Sequence, residues 1–155
     1  MKSLFRLAII LLSLLCCAAC GGGVSSGGNH TDTPEESAEF TIELTDITAT
    51  SARVAIIPKS KYIKYYFDVL RADYYRVYQE QYGFQRFINA TINALSSKDN
   101  ITSDEALALL LSMGNATYDF NSLDPDTEYY VVVMGLDING RITTEVYSKS
   151  FKTTK

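Results

Sequence analysis

The segment Glu128-Tyr129-Tyr130-Val131-Val132-Val133-Met134-Gly135-Leu136-Asp137 constrains this chain more than any other. Tyr129, Val131 and Val133 alternate with Tyr130, Val132 and Met134, so a strand here is apolar on both faces. Such a strand is expected at the centre of a sheet. The turn Asp137-Ile138-Asn139-Gly140-Arg141 follows, with Asn-Gly as a strong hairpin signal. A last strand is then expected over about Arg141 to Thr153.

Three earlier strands show period two. Phe40, Ile42 and Leu44 alternate with Thr41, Glu43 and Thr45. Ser51 to Ile57 puts Ala52, Val54 and Ile56 on one face and stops at Pro58, and Tyr62 to Leu70 sets Tyr65, Phe67 and Val69 together. From Arg71 to Met113 the pattern becomes helical. Tyr74, Tyr78 and Tyr82 fall at i, i+4 and i+8, with Tyr75 beside them, so a first helix is expected from Ala72 to Tyr82, broken at Gly83. A second is expected over Phe84 to Leu95, with Phe84, Phe87, Ile88, Ile92 and Leu95 along one side. The third starts with the capping box Thr102-Ser103-Asp104-Glu105 and is expected to stop at Gly114.

Leu123-Asp124-Pro125-Asp126-Thr127-Glu128-Tyr129, continued by Val131, Val133, Gly135, Asp137 and Gly140, resembles the Leu-x-Pro-x-Thr-x-Tyr signature and following strand of fibronectin type III domains. The closing Ser148-Lys149-Ser150-Phe151-Lys152-Thr153 is also similar to that family's final strand. The resemblance covers Phe40 to about Leu70 and Thr117 to Thr154. It implies a mainly β fold, an antiparallel sandwich, with Leu123, Pro125, Thr127 and Tyr129 as fold signature and the Tyr129 hydroxyl bonded to upstream backbone. One departure is the missing tryptophan of the second strand, since the chain has none; Ile56 or Val54 must fill that space. The helical insertion over 71–113 is not part of the family pattern, and insertions of that length are usually functional or carry their own structure.

The chain opens with Lys2 and Arg6, an apolar run from Leu7 to Leu15, and the small residues Ala18 and Ala19 before Cys20. The run is too short to span about 30 Å of hydrocarbon and has the length of a secretory h-region. Cys17-Ala18-Ala19-Cys20-Gly21 resembles the lipobox of bacterial lipoproteins, with Cys17 where leucine is usual. That resemblance implies a signal peptide over 1–19 and lipid attachment at Cys20. It also implies a membrane partner through that lipid, in the cell envelope of a Gram-negative cell, with the outer membrane the expected site and the leaflet left open by the sequence. Residues 20–38 are Gly- and Ser-rich and read as a flexible tether with a reach of about 20–25 Å. The domain is expected over 39–155.

Loss of Lys2 and Arg6 from the 14 basic residues leaves 12 against 18 acidic ones, a net charge of −6. That balance disfavours nucleic acid as a partner. All three cysteines lie at or before Cys20 and the single histidine, His30, lies in the tether. The domain therefore has no thiolate or imidazole for a metal site, a disulfide or nucleophilic catalysis, and no cofactor is expected. Asp119, Asp124, Asp126 and Asp137 read as turn residues, because the further ligands of a calcium loop are missing. Asn139-Gly140-Arg141 reads as a plain hairpin turn, and the four Asn-x-Thr sequons at Asn29, Asn89, Asn100 and Asn115 read as chance in a bacterial chain.

Tyr74, Tyr78 and Tyr82 are the candidate binding residues. Large rings there either pack the helices on the sheet or form a contact surface for a protein or glycan. The expected function is a non-catalytic binding or accessory module. A structural subunit of an envelope complex and a carboxylate-dependent hydrolase are the alternatives.

Overall fold

The computed structural model describes residues Glu39–Lys155; the leader, Cys20 and the tether expected over 1–38 lie outside the described residues. The alternating segments form β1 (Phe40–Thr45), β2 (Ser51–Pro58) and β3 (Lys64–Arg71). Late in the chain come β4 (Ser112–Met113), β5 (Ala116–Asn121), β6 (Glu128–Gly135) and β7 (Tyr147–Lys152). They pair antiparallel into a three-stranded sheet, β1-β2-β5, and a four-stranded sheet, β4-β3-β6-β7. The fold is the fibronectin type III-like sandwich expected, with helices inserted between β3 and β4.

Between the sheets, Phe40, Ile42, Val54 and Ile56 meet Tyr65, Phe67, Val69, Val131 and Val133 in one buried core. Val54 and Ile56 fill the space that tryptophan takes in the family pattern, both fully buried. The signature residues close the end of this core. Leu123 is buried, and the Asp124 N–H donates to the Tyr129 hydroxyl at 2.8 Å. The Thr127 hydroxyl donates to the Pro125 carbonyl at 2.8 Å, and the Thr127 N–H to Thr153 Oγ1 at 2.9 Å. Burial pushes the Tyr129 phenol above its ordinary range, which keeps it a neutral hydrogen-bonding group.

The other face of the four-stranded sheet is covered as well. Tyr66, Val132, Met134 and Leu136 are buried against α1 (Ala72–Val77), α2 (Phe84–Asp99) and α3 (Ser103–Leu110) through Tyr75, Phe87, Ile88, Ile92, Leu95, Leu107 and Leu110. β6, central between β3 and β7, thus supplies both cores. Asp68 is the one buried charge on this face, taking the Tyr66 hydroxyl at 2.6 Å and the Val69 N–H at 2.8 Å.

Several boundaries differ from expectation. β3 begins at Lys64 and not at Tyr62, because Lys61 and Tyr62 form a turn in which the Ile63 N–H donates to the Ser60 carbonyl at 3.2 Å, and β6 ends at Gly135 and not at Asp137. The first helix is α-helical only to Val77 and closes as a π turn over Tyr78–Tyr82, where the Gly83 N–H donates to the Tyr78 carbonyl at 2.7 Å. Gly83 has φ +75°, a conformation that favours glycine, and there the chain turns into α2. α2 runs on past Leu95 to Asp99 and ends on left-handed Asn100. α3 has the expected capping box at Thr102 and Glu105 but stops at Leu110, because Leu111 is extended and leads into β4. β7 begins at Tyr147 and not at Arg141. The Thr143 N–H donates to the Gly135 carbonyl and the Thr144 hydroxyl takes the Gly135 N–H, both at 2.9 Å, so residues 143–146 form a loop bonded by backbone and side chain together.

Because β6 is buried on both sides, Met134→Ala should destabilise the domain by about 2–5 kcal/mol although it faces away from the sandwich core. Tyr129→Phe leaves the Asp124 N–H unpaired and should cost about 1–3 kcal/mol. Denaturant unfolding of both variants checks this; a Met134→Ala change no larger than an exposed substitution contradicts the three-layer packing.

Candidate binding surface on the helical layer

α1 starts directly at the end of β3, so its tyrosines are delivered over the outer face of β6 and β7. Tyr75 takes the inward position. Its ring stacks on Tyr130 at 4.0 Å with planes 2° apart, and its hydroxyl bonds Ser148 Oγ at 2.8 Å. Tyr74 is half-buried beside it, with its N–H donating to Asp73 Oδ1 at 3.0 Å. Tyr78 is also half-buried, with ring centroids 5.1 Å from Phe87 and 6.2 Å from Tyr82. Tyr82 is 51% exposed, and the Arg86 guanidinium lies 4.8 Å from its ring centroid.

The three candidate tyrosines therefore do not form one uniform stripe. The π turn closes with an i→i+5 bond, so the row drawn at i, i+4 and i+8 changes phase at Tyr78. Tyr78 joins packing to surface, and Tyr82 with Arg86 is the outward part. The core anchor is Tyr75, a neighbour that an i+4 count sets aside.

Gln85 is a residue that sequence reasoning missed. Its Nε2 donates to the Gly140 carbonyl at 2.8 Å and its Oε1 takes the Ile142 N–H at 3.0 Å, which fastens α2 to the turn after β6. A lone glutamine carries no pattern that could announce this. Gly140 in that turn has φ +75°, and a Cβ there would come 2.9 Å from Ile92 Cδ1. Asn-Gly thus serves close packing as well as turning.

The four aspartates are engaged separately. Asp119 pairs with Arg53 at 2.7 Å, Asp124 with Arg71 at 2.6 Å and Asp126 with Lys152 at 2.7 Å. The Asp137 carboxylate accepts the Arg141 N–H at 2.9 Å and the Asn139 N–H at 2.8 Å. Among the described residues, no group of three or more His, Cys, Asp or Glu could hold a metal ion.

A shallow depression of about 280 Å³ lies at one end of the three-stranded sheet, lined by Asp46, Thr48, Ser51, Ala52, Arg53, Asp119 and Asn121. It brings together two carboxylates far apart in sequence, which no local pattern could show. Arg53 bridges them, reaching Asp46 at 3.0 Å and Asp119 at 2.7 Å. Its hydrogen bond holds the Asp119 carboxyl below the ordinary range. Carboxylate-pair hydrolysis requires one acid that stays protonated, so Asp119 is a poor candidate for that role.

No family model matches the chain, and no curated protein matches its sequence. Among solved structures it is similar to a computationally redesigned β-sandwich protein, at 14% identity and TM-score 0.40, over 74% of this chain and 92% of that one. It is also similar to the sensor domain of the anti-sigma factor RsgI4 in Pseudobacteroides cellulosolvens, at 12% identity and TM-score 0.37, over 77% and 98%. At these scores neither carries an argument about function.

The Arg141 and Asn139 N–H groups hold the Asp137 carboxyl below its ordinary range. A depressed folded-state pKa contributes stability above the unfolded value and loses it as pH falls through the folded one. The melting temperature of the native chain should therefore fall on acidification below the ordinary aspartate range, and Asp137→Asn should flatten that fall. Parallel slopes in thermal scans against pH would contradict the turn's dependence on charge.

Proposed function

We propose that this chain is a lipid-anchored, non-catalytic binding or accessory module of the bacterial cell envelope, whose helical layer contacts a protein or glycan. One observation carries the reading: Tyr82 stands half exposed with Arg86 against its ring, on a helical layer inserted into the sandwich between β3 and β4. Tyrosine and arginine concentrate binding energy in interfaces, because they offer large, stiff contact area with a polar handle. The same planar groups stack on sugar rings. The lipobox resemblance at Cys20 supports the anchor, the Gly/Ser-rich sequence after it supports a connection between anchor and domain, and the absence of histidine and thiol from the domain supports a non-catalytic role.

Capture from the native envelope by the anchored protein, against Tyr82→Ala and Tyr78→Ala variants, tests the surface. Loss of an anchoring tyrosine, at about 2 kcal/mol, should weaken capture by roughly thirtyfold with little change in melting temperature for the exposed Tyr82. Capture unaltered by both substitutions removes the tyrosine surface from the proposal. Mass analysis of the N-terminal peptide tests the anchor: an acylated Cys20 is expected, and Cys20→Ser should release the chain from the membrane fraction.

A further inference from the structure

The end of the sandwich at which the domain begins gathers lysines and uncovered apolar side chains. Phe40 pairs with Pro58, and the Lys59 N–H donates to the Glu39 carbonyl at 2.8 Å, so Glu39 stands beside the start of the β2–β3 loop. That loop runs Lys59-Ser60-Lys61-Tyr62-Ile63 into Lys64. Lys64 pairs with Met113 on one side, and its carbonyl accepts the Leu136 N–H at 2.9 Å on the other. Tyr62 stands in the turn two residues before Lys64, and Ile138 two residues after Leu136.

Tyr62 is 76% exposed, Ile138 71% and Met113 62%. Leu109, also exposed, stands on the last turn of α3 just ahead of β4. Of the five large apolar side chains left exposed among the described residues, Tyr62, Met113 and Ile138 stand next to β3 or the end of β6, whereas Tyr82 closes the π turn. Lys59, Lys61 and Lys64 make no ion pair with described residues, unlike Arg53, Arg71, Arg76 and Lys152. Lys61 Nζ instead lies 5.2 Å from the Tyr62 ring centroid. The acids near this end are Glu39, Asp137 and Glu145, the last in the loop that Gly135 holds ahead of β7, and Asp137 is already capped by two backbone N–H groups.

Exposed apolar groups ringed by unpaired lysines match an interface that is apolar below and anionic above. Tyrosine sits well at the headgroup level of a bilayer, and lysine lays its stem along apolar surface while its ammonium reaches phosphate. We infer that Tyr62, Met113 and Ile138, with Lys59, Lys61 and Lys64, form a membrane-docking surface that seats this end of the domain in the headgroup layer of an anionic phospholipid bilayer.

The inference rests on the anchored reading. On that reading Cys20 joins the domain through the residues before Glu39, so this end of the sandwich is the one next along the chain from the anchor. Each lysine near an anionic surface contributes about a fivefold gain in partitioning, so three give on the order of a hundredfold. That is weak for a free protein and ample for a tethered one, whose effective concentration is in the millimolar range for short linkers.

The test uses the chain from Cys20 to Lys155, coupled through its one thiol to a maleimide-bearing lipid in phosphatidylcholine vesicles with or without phosphatidylglycerol. The chain has no tryptophan, so Tyr62→Trp and Tyr82→Trp each install a single reporter. On vesicles with phosphatidylglycerol, the reporter at 62 should shift to the blue and be quenched by brominated lipid, while the reporter at 82 stays water-like. Replacing Lys59, Lys61 and Lys64 by glutamate should return the reporter at 62 to its aqueous emission. Water-like emission at 62 on the anionic vesicles, or equal quenching at 82, overturns the proposal. Because the coupling is chemical, the outcome is independent of whether cells acylate Cys20. Failure of the anchor and failure of docking are therefore separate results.

Discussion

β6 has to be hidden from water on both of its faces, and most of the chain is arranged around that requirement. Tyr129, Val131 and Val133 enter the inter-sheet core, while Val132, Met134 and Leu136 enter the core under the helices. Full burial of such side chains contributes about 1.5–3 kcal/mol each. A two-layer sandwich would leave the second set in water beside Tyr66. The helices remove that exposure, and in return the sheet gives them a surface. α3 is eight residues long and α2 sixteen, lengths at which an isolated helix in water is unstable or marginal. The capping box satisfies the first turn of α3, but Ala106, Leu107 and Leu110 against the sheet are what hold it. Sheet and insertion are therefore one cooperative unit.

Features written in local chemistry were legible in the sequence. Period two located β1, β2, β3 and β6, the double-sided alternation put β6 in the centre, and Thr102 with Glu105 marked where α3 begins. The tyrosine corner followed from a spaced signature. Less legible were features decided by distant partners. β5 has only Tyr118 and Phe120 to turn inward, and its edge position becomes apparent only when it pairs with β2. β7 starts late because Gly135 bonds Thr143 through its carbonyl and the Thr144 hydroxyl through its N–H, a pairing no local pattern announces.

The tyrosines of α1 show the same division within one helix. Periodicity proposes a row but does not choose which of two adjacent rings turns inward. Tyr75 takes the inner place because Tyr130 offers it a parallel face and Ser148 a partner for its hydroxyl. Both lie more than fifty positions later in the chain, so no window along the helix contains the deciding information. Once Tyr75 is fixed, Tyr74 is held half out of the interface, and the π turn carries Tyr82 to the surface beside Arg86.

Charge is also distributed along the strand axis in a way that composition hides. Lys59, Lys61 and Lys64 cluster where β2 ends and β3 begins, whereas Asp46, Asp119, Asp124 and Asp126 belong to the opposite end, each in an ion pair. A chain that is acidic in sum thus carries at one end three lysines without an ion pair among the described residues, beside Glu39, Asp137 and Glu145. Exposed pairs at the far end contribute little to stability, because solvent screens them, but they fix the sign of the field there. Near an anionic surface such a molecule has a preferred orientation, with the lysine loop inward and the tyrosine-corner end outward. Within about 8–10 Å of that surface the lysines act at full strength, while acids a strand length away are largely screened at physiological salt. A net negative domain can therefore be drawn to a negative surface when its lysine end faces that surface.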